Sequence, residues 1–199
     1  MNPDHVDLSK GMTVSPNTNG FDYSYVLPAS LDMQPYCYVE NDHLAEPLTS
    51  TTPGNKPDTG YAGAFWRGGL MSPSFDFFDV IPGFTRKANE FIRKQSQKKP
   101  FFLYLPHTAV HTPIYPGESF RGKSSNGRFG DWVEEVDASV GRVLDTLREL
   151  ELEQNTLVIF TSDNGPWLIK GSDGGSALPL RGGKGSTWEG GVRVPTIVI

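Results

Sequence analysis

The sequence has one cysteine, no long apolar run and no excess of positive charge. These three features argue against an internal disulfide, a membrane-spanning helix and a nucleic-acid-binding surface. Cys37 has no second cysteine with which to form an internal disulfide, so cysteine pairing says nothing about the compartment. No apolar run approaches the roughly 20 residues that a membrane-spanning helix needs, and residues 1–20 lack the apolar core of a signal peptide. A net charge of -5 with scattered lysines and arginines offers no footprint for nucleic acid.

The composition that is present indicates a single globular domain with many loops. Hydrophobic residues make up 37% of the 199 residues, which is enough to bury a core, while 22 glycines and 16 prolines predict frequent turns. Residues 1–82 are rich in turn-forming residues, and we interpret them as a loop-rich, substrate-side region with short strands. Residues 83–199 have regular apolar patterns and are interpreted as the core of the domain.

The core region predicts a strand, a helix and a strand in sequence. Residues 101–105 and 156–161 are short apolar runs of the kind buried on both faces of a parallel sheet. Between them, apolar residues recur every three or four positions after Asp131, which with Glu134 resembles a helix cap. This β-α-β order predicts an α/β fold with a mostly parallel sheet sandwiched by helices. Thr85 is a possible cap of an earlier helix.

Side chains that could carry chemistry follow or precede the predicted strands, where ligands of open α/β sheets bind. His111, with His107 as a weaker candidate, follows the first strand. Asp163 and Asn164 follow the second, and Lys184 lies among glycines before a third apolar run at 196–199. We expect these clusters to converge on one crevice.

Each of these candidates also has a simpler interpretation. The oxygens of Asp163 and Asn164 suit a hard cation such as Ca²⁺ or Mg²⁺, but the same residues favour ordinary turns. His111 could contact an anion or act as a general acid, or it could be a histidine at the edge of the core. Lys184 could bind phosphate or sulfate, or it could be a solvated lysine in a flexible loop.

Several segments together resemble the type I sulfatases, which are arylsulfatase-like members of the alkaline phosphatase superfamily. The motifs stand in the family's order, and the resemblance covers nearly the whole chain, most strongly residues 98–199. The segments are KPFFLYL (99–105) with HTP (111–113), DASVG (137–141), TLVIFTSDNG (156–165), RGGKG (181–185) and WEGGVRVP (188–195), with GFDY (20–23) and PASLD (28–32) as an earlier stretch.

The resemblance implies an alkaline phosphatase-like α/β fold and a hydrolase that cleaves sulfate monoesters of small molecules or carbohydrates. Asp163 and Asn164 match the family's Ca²⁺ ligands, with Mg²⁺ as the alternative ion. His111 matches the histidine that contacts the sulfate and assists the leaving oxygen, and Lys184 matches the lysine that clamps the sulfate. His111 and Lys184 are therefore expected to be both catalytic and substrate-binding.

The sequence departs from the family at the nucleophile. The family uses a formylglycine made within a Cys/Ser-x-Pro-x-Arg motif, and these 199 residues contain no such motif. Residues 71–75 imitate its spacing, but Met71 cannot become an aldehyde, and Cys37 lies in another context. We therefore expect a partial catalytic domain that is truncated at both ends. The formylglycine is expected upstream of residue 1, and Ile199 ends the chain inside an apolar strand. We expect no activity of this chain alone.

Two other functions stay open. The same fold hosts phosphodiesterases and phosphonate hydrolases, and a degenerate relative could serve only in binding, although retention of all four candidate residues argues against decay. The resemblance also suggests a periplasmic, extracellular or lysosomal-type compartment, for which the chain itself carries no signal. The sulfate ester and the oligomeric state are not predicted.

Overall fold

The structure is a computed structural model and describes residues 8–55, 66–95 and 99–199. Within these residues seven short strands form three small sheets beside two long helices. The strands are β1 (Tyr25–Val26), β2 (Val39–Glu40), β3 (His43–Leu44), β4 (Ser50–Gly54), β5 (Arg67–Met71), β6 (Ile159–Thr161) and β7 (Thr196–Val198). The helices are α1 (Val80–Gln95), α2 (Gly127–Glu149) and the one-turn α3 (Glu189–Val192).

Short 3₁₀ segments connect these elements. They cover Leu8–Lys10, Asn17–Asn19, Phe77–Asp79, Glu153–Asn155 and Leu168–Asp173. None of the described helices has the length and apolar character needed to cross a bilayer.

Helices α1 and α2 pack against each other, and each buries its apolar side. Burial of a large apolar side chain contributes about 1.5–3 kcal/mol, so this contact accounts for much of the core. At its centre the hydroxyl oxygens of Thr85 and Ser139 are 2.5 Å apart, and Thr85 Oγ1 donates to Ile81 O. The buried apolar residues of the two helices include Ile81, Ile92, Trp132, Val136 and Leu147.

Thr85 is thus an interior residue of α1, and the prediction that it caps the helix is wrong. The cap belongs to Asp76, whose side chain accepts a hydrogen bond from Phe78 N at the start of the preceding 3₁₀ turn. A buried hydroxyl needs a partner, and Thr85 finds two inside the helix pair.

An aromatic cluster joins the N-terminal strands to the helices. The rings of Trp66 and Phe77 lie 4.9 Å apart, and Tyr115 lies 5.4 Å from the first and 5.3 Å from the second. Tyr36 packs 5.1 Å from Phe77 and donates its hydroxyl to Arg67 O. Because Tyr115 is only four residues after His111, this cluster also fixes the path of the chain that leaves the histidine.

The strand pairing differs from the expected parallel sheet. The order β1-β2-β3 and the pairs β4-β5 and β6-β7 are all antiparallel, and the one parallel contact among the described residues is an isolated bridge between Tyr36 and Met71. β6 and β7 are antiparallel because the chain between them has no long crossover helix and folds back on itself.

The predicted strand at 101–105 is not formed either. This segment has no ladder partner among the described residues, and Phe102 and Tyr104 are exposed while the alternate side chains are half-buried. β6 and β7 are exposed as well, with 59% of Ile159 and 56% of Ile197 accessible. Their apolar sequences predicted burial, but no described element packs over them.

The N-terminus of α2 also corrects the sequence analysis. Helix α2 begins at Gly127, so Asp131 is not its cap but lies within its second turn, fully buried. Its carboxylate accepts hydrogen bonds from the backbone N–H groups of Gly122, Lys123 and Ser124 at 2.8, 3.1 and 2.8 Å. Asp131 therefore holds the loop that enters the helix and does not cap the helix itself.

We predict that Asp131→Ala lowers the free energy of unfolding by about 2 kcal/mol, because the three loop N–H groups lose a charged acceptor. The matched control is Asp137→Ala, which removes an exposed aspartate from the same helix and is expected to change stability by less than about 0.5 kcal/mol. Urea denaturation of both variants measures the difference. Equal stabilities would show that the carboxylate does not organise the loop.

Candidate functional site

The turn after β6 forms one corner of the molecule with the glycine-rich loop before α3 and with α3 itself. Two backbone hydrogen bonds join them: Gly165 N donates to Gly191 O at 2.9 Å, and Lys184 N donates to Pro166 O at 2.8 Å. The Asp-Asn-Gly turn and the lysine loop, which are about twenty residues apart in the sequence, are therefore adjacent, as the sequence analysis expected.

Glycines make this adjacency possible. A Cβ atom added to Gly165 would lie 1.8 Å from Gly190 O, and one added to Gly183 would lie 2.5 Å from Pro166 O. One added to Gly190 would lie 2.3 Å from Gly182 O. These distances are far below van der Waals contact, and the clashing atoms belong to the backbone and cannot rotate away. The glycine content of the loop is thus a requirement of close backbone packing.

Trp167 brings the predicted histidine and lysine together. The imidazole of His111 stacks on the indole with ring centroids 5.4 Å apart and planes 27° from parallel. Lys184 Nζ lies 5.2 Å from the centroid of the same indole. His111 and Lys184 come from segments on either side of α2, and they meet around one aromatic ring.

The hydrogen bonding of His111 fixes which nitrogen faces a ligand. Nδ1 lies 2.7 Å from Thr112 O, and since a carbonyl only accepts, Nδ1 carries the proton in this contact. Nε2 has no partner among the described residues. The half-buried ring therefore presents Nε2, which can donate a proton when the imidazole is protonated.

Asp163 and Asn164 stand four and three residues before Trp167. Asp163 is exposed, and its carboxylate forms no hydrogen bond or salt bridge with the described residues, while Ser162 Oγ donates to Asn164 O. A carboxylate and an amide oxygen are suitable ligands for Ca²⁺, which needs about six to eight oxygens. The described part of the chain has no group of three or more His, Cys, Asp or Glu residues that could hold a metal ion, so a Ca²⁺ ion at these two residues would need further ligands.

His107 has a different environment. Its Nε2 lies 3.5 Å from Ser139 Oγ on α2, and its Nδ1 is buried with no hydrogen-bond partner. Desolvation by burial lowers the pKa of the imidazole to about 4. His107 is consequently neutral at physiological pH and lies at the contact with α2.

Two residues that could imitate a nucleophile are buried. Cys37 is 0% exposed, and burial raises the pKa of its thiol to about 12, so it stays protonated. Ser72, within the 71–75 segment, is buried and donates its hydroxyl to Glu46 O. Neither can attack a substrate.

The sequence analysis missed Trp167 and Lys170. Lys170 Nζ lies 4.7 Å from the centroid of the Trp167 ring, so a second lysine joins the same aromatic centre. The sequence does contain a pattern that could have indicated both residues: an aromatic residue directly follows the Asp-Asn-Gly-Pro turn, and a lysine stands three positions later.

Comparison with known proteins identifies the family. The sulfatase family model matches residues 18–199, so the chain belongs to the sulfatase family. It is 33% identical to an N-acetylgalactosamine-6-O-sulfatase of Bacteroides thetaiotaomicron over 96% of this chain and 45% of the relative. It is also 44% identical to human N-acetylgalactosamine-6-sulfatase over 57% of this chain and 22% of that protein.

Solved structures confirm the alkaline phosphatase-like α/β fold class. A Bacteroides thetaiotaomicron structure whose description concerns the metabolism of multiple glycosaminoglycans superposes with a TM-score of 0.82 and 31% identity, over 96% of this chain and 48% of that one. A protein named i-CgsB, in complex with a neocarrahexaose, gives a TM-score of 0.67 and 25% identity over 92% and 40% of the two chains. This chain spans less than half the length of these relatives.

We predict that Gly165→Ala destabilises the protein by at least about 2 kcal/mol, because its Cβ forces two backbones apart. The control is Gly141→Ala in α2, where no atom lies within 4 Å of the added Cβ. That change is expected to stabilise by about 0.5–1 kcal/mol through helix propensity. Thermal unfolding compares the two, and a neutral Gly165→Ala would refute the close approach.

A second prediction concerns acid stability. The pKa of His107 is lowered on folding, so the unfolded chain binds more protons, and stability is lost as pH falls from about 6.5 towards 4. Between pH 7 and pH 4 the wild type should lose about 3 kcal/mol more than His107→Gln. Urea denaturation at each pH measures this. The exposed His43 supplies the control, and an equal effect of His43→Gln would contradict the assignment.

Proposed function

We propose that this chain forms the histidine, lysine and metal-binding part of a sulfatase active site that hydrolyses sulfate monoesters of carbohydrates. The observation that carries the proposal is the meeting of His111 and Lys184 around Trp167, next to the Asp163-Asn164 turn. Family membership supports the reaction class, and the geometry supports the roles of the individual residues.

Lys184 is suited to bind the sulfate. Its ammonium group forms no salt bridge with the described residues, and the indole of Trp167 lies beside it. A sulfate ester carries its negative charge on oxygens that a point charge can contact from several directions. Placed against those oxygens, the ammonium group lowers the energy of the charge that develops in the transition state.

His111 is suited to assist the leaving group. When the S–O bond to the sugar breaks, the departing oxygen gains negative charge and needs a proton. Protonated Nε2 donates that proton while Nδ1 stays bound to Thr112 O, which keeps the ring in place. The sulfuryl group passes to a nucleophile, for which these 199 residues offer no matching motif; a formylglycine from a further segment would fill this role.

Asp163 and Asn164 would hold Ca²⁺ together with ligands from other segments. The ion would supply positive charge beside the sulfate. The exposed carboxylate of Asp163, which no described residue pairs with, is consistent with such a role.

The names of the relatives favour a sulfated sugar. Both proteins compared above are N-acetylgalactosamine-6-sulfatases, and the structural neighbours include one described with multiple glycosaminoglycans and one bound to a neocarrahexaose. We therefore propose a sulfated carbohydrate as the substrate. None of these relatives supports the phosphodiesterase or binding-only alternatives.

A chimera tests the proposal. Residues 18–199 replace the matching segment of the Bacteroides thetaiotaomicron relative, expressed in a host that matures sulfatases. The chimera is expected to release sulfate from N-acetylgalactosamine 6-sulfate, and the 199-residue chain alone is not. Lys184→Ala should lower kcat by about 10²–10³-fold and His111→Ala by about 10²–10⁴-fold.

The control for both variants is Lys94→Ala, which removes an exposed lysine in the last turn of α1. It should leave kcat unchanged. Turnover of a phosphodiester but not of a sulfate ester would transfer the site to the alternative reaction class. Full activity of Lys184→Ala and His111→Ala would refute the assigned roles.

A further inference from the structure

The Trp167 corner contains a second lysine, Lys170, to which the proposed function assigns no role. Lys170 Nζ and Lys184 Nζ lie 4.7 Å and 5.2 Å from the centroid of the same indole. Neither ammonium group forms a salt bridge with a described residue, although the whole chain carries a net charge of -5. Two unneutralised cations beside one ring repel each other, and an anionic ligand that contacts both would remove that repulsion.

The backbone that carries Lys170 is held by its surroundings. The 3₁₀ segment Leu168–Asp173 that carries it is anchored to α2, because Arg128 Nε donates to Asp173 Oδ2 at 2.9 Å. Lys170 N donates to Trp167 O at 2.9 Å. A Cβ added to Gly174 would lie 2.1 Å from Trp167 O, so the chain after the segment packs closely on the residue before it. The backbone at Lys170 is thus held in place, and the exposed ammonium group lies next to the Trp167 ring.

We propose that Lys170 binds a second anionic group of the same substrate, so that the site selects sulfated carbohydrates that carry a neighbouring carboxylate or second sulfate. The inference rests on the proposed function, in which Lys184 and His111 hold the sulfate that is cleaved. Because the two ammonium nitrogens lie 4.7 Å and 5.2 Å from the same ring centroid, they are at most about 10 Å apart, a span that a ligand of one or two sugar units can cover. Lys170 then determines specificity and takes no part in the chemical step.

Three probes separate the sources of the second anion. N-acetylgalactosamine 6-sulfate has one anionic group, N-acetylgalactosamine 4,6-disulfate has a second sulfate, and an unsaturated chondroitin 6-sulfate disaccharide has a carboxylate. Their binding to the 199-residue chain is followed at constant ionic strength through the indole N–H signal of Trp167 in NMR spectra, assigned with Trp167→Phe.

We expect at least one dianionic probe to bind the wild type about three- to fivefold more tightly than the monosulfated sugar, the size of one exposed charge pair. Lys170→Gln should weaken that dianionic probe by the same factor and the monosulfated sugar by less than twofold. Lys170→Arg should retain the preference, since it keeps the charge. Lys184→Gln should weaken all three probes, and Lys94→Gln, the matched loss of one exposed lysine, should weaken none.

The dianionic probe with the larger loss in Lys170→Gln identifies the second group as carboxylate or sulfate. Equal losses for all probes in Lys170→Gln, or equal effects of Lys170→Gln and Lys94→Gln, would overturn the inference and leave the proposed function intact. Binding of no sulfated probe to the wild type would overturn the inference, while sulfate release by the chimera would still support the proposed function.

Discussion

The corner around Trp167 depends on two backbone hydrogen bonds, Gly165 N to Gly191 O and Lys184 N to Pro166 O. They join the turn that carries Asp163 and Asn164 to α3 and to the loop that carries Lys184, and they form only because glycines allow the backbones to touch. Side-chain chemistry in this region is therefore arranged by main-chain contacts. Main-chain hydrogen bonds do not change with pH or with the charge of a ligand. The turn and the lysine loop therefore have their relative positions before a substrate binds.

The same arrangement determines the electrostatics. Elsewhere in the chain a lysine pairs with a carboxylate, as Lys87 does with Glu40 at 3.0 Å. Around Trp167 the indole replaces the carboxylate as the neighbour of the ammonium group. An aromatic face attracts a cation without neutralising it, so the lysines keep their full charge for a ligand. His107 differs from these lysines, because its burial against α2 lowers the pKa of the imidazole and leaves it uncharged at neutral pH.

Patterns that depend on nearby residues could be predicted from the sequence, whereas features that depend on distant partners could not. The apolar periodicity of α2 and the convergence of His111 and Lys184 are confirmed. The burial of 101–105, β6 and β7 was inferred from apolar composition, but burial requires a covering element, and no described residue provides one. Asp131 looked like a helix cap because the motif is local, whereas its actual partners are the loop N–H groups of residues 122–124. The metal and catalytic roles of the four site residues stay predictions.

The glycine contacts also limit how this protein can diversify. Any side chain at Gly165, Gly183 or Gly190 would collide with main-chain atoms, so these positions cannot be used to reshape the substrate site. Lys170, by contrast, extends from the 3₁₀ segment Leu168–Asp173, which is also held to α2 through Asp173 and Arg128. Natural variation or engineering aimed at new sulfated ligands should therefore be concentrated in that short segment, while the glycine loop stays the same.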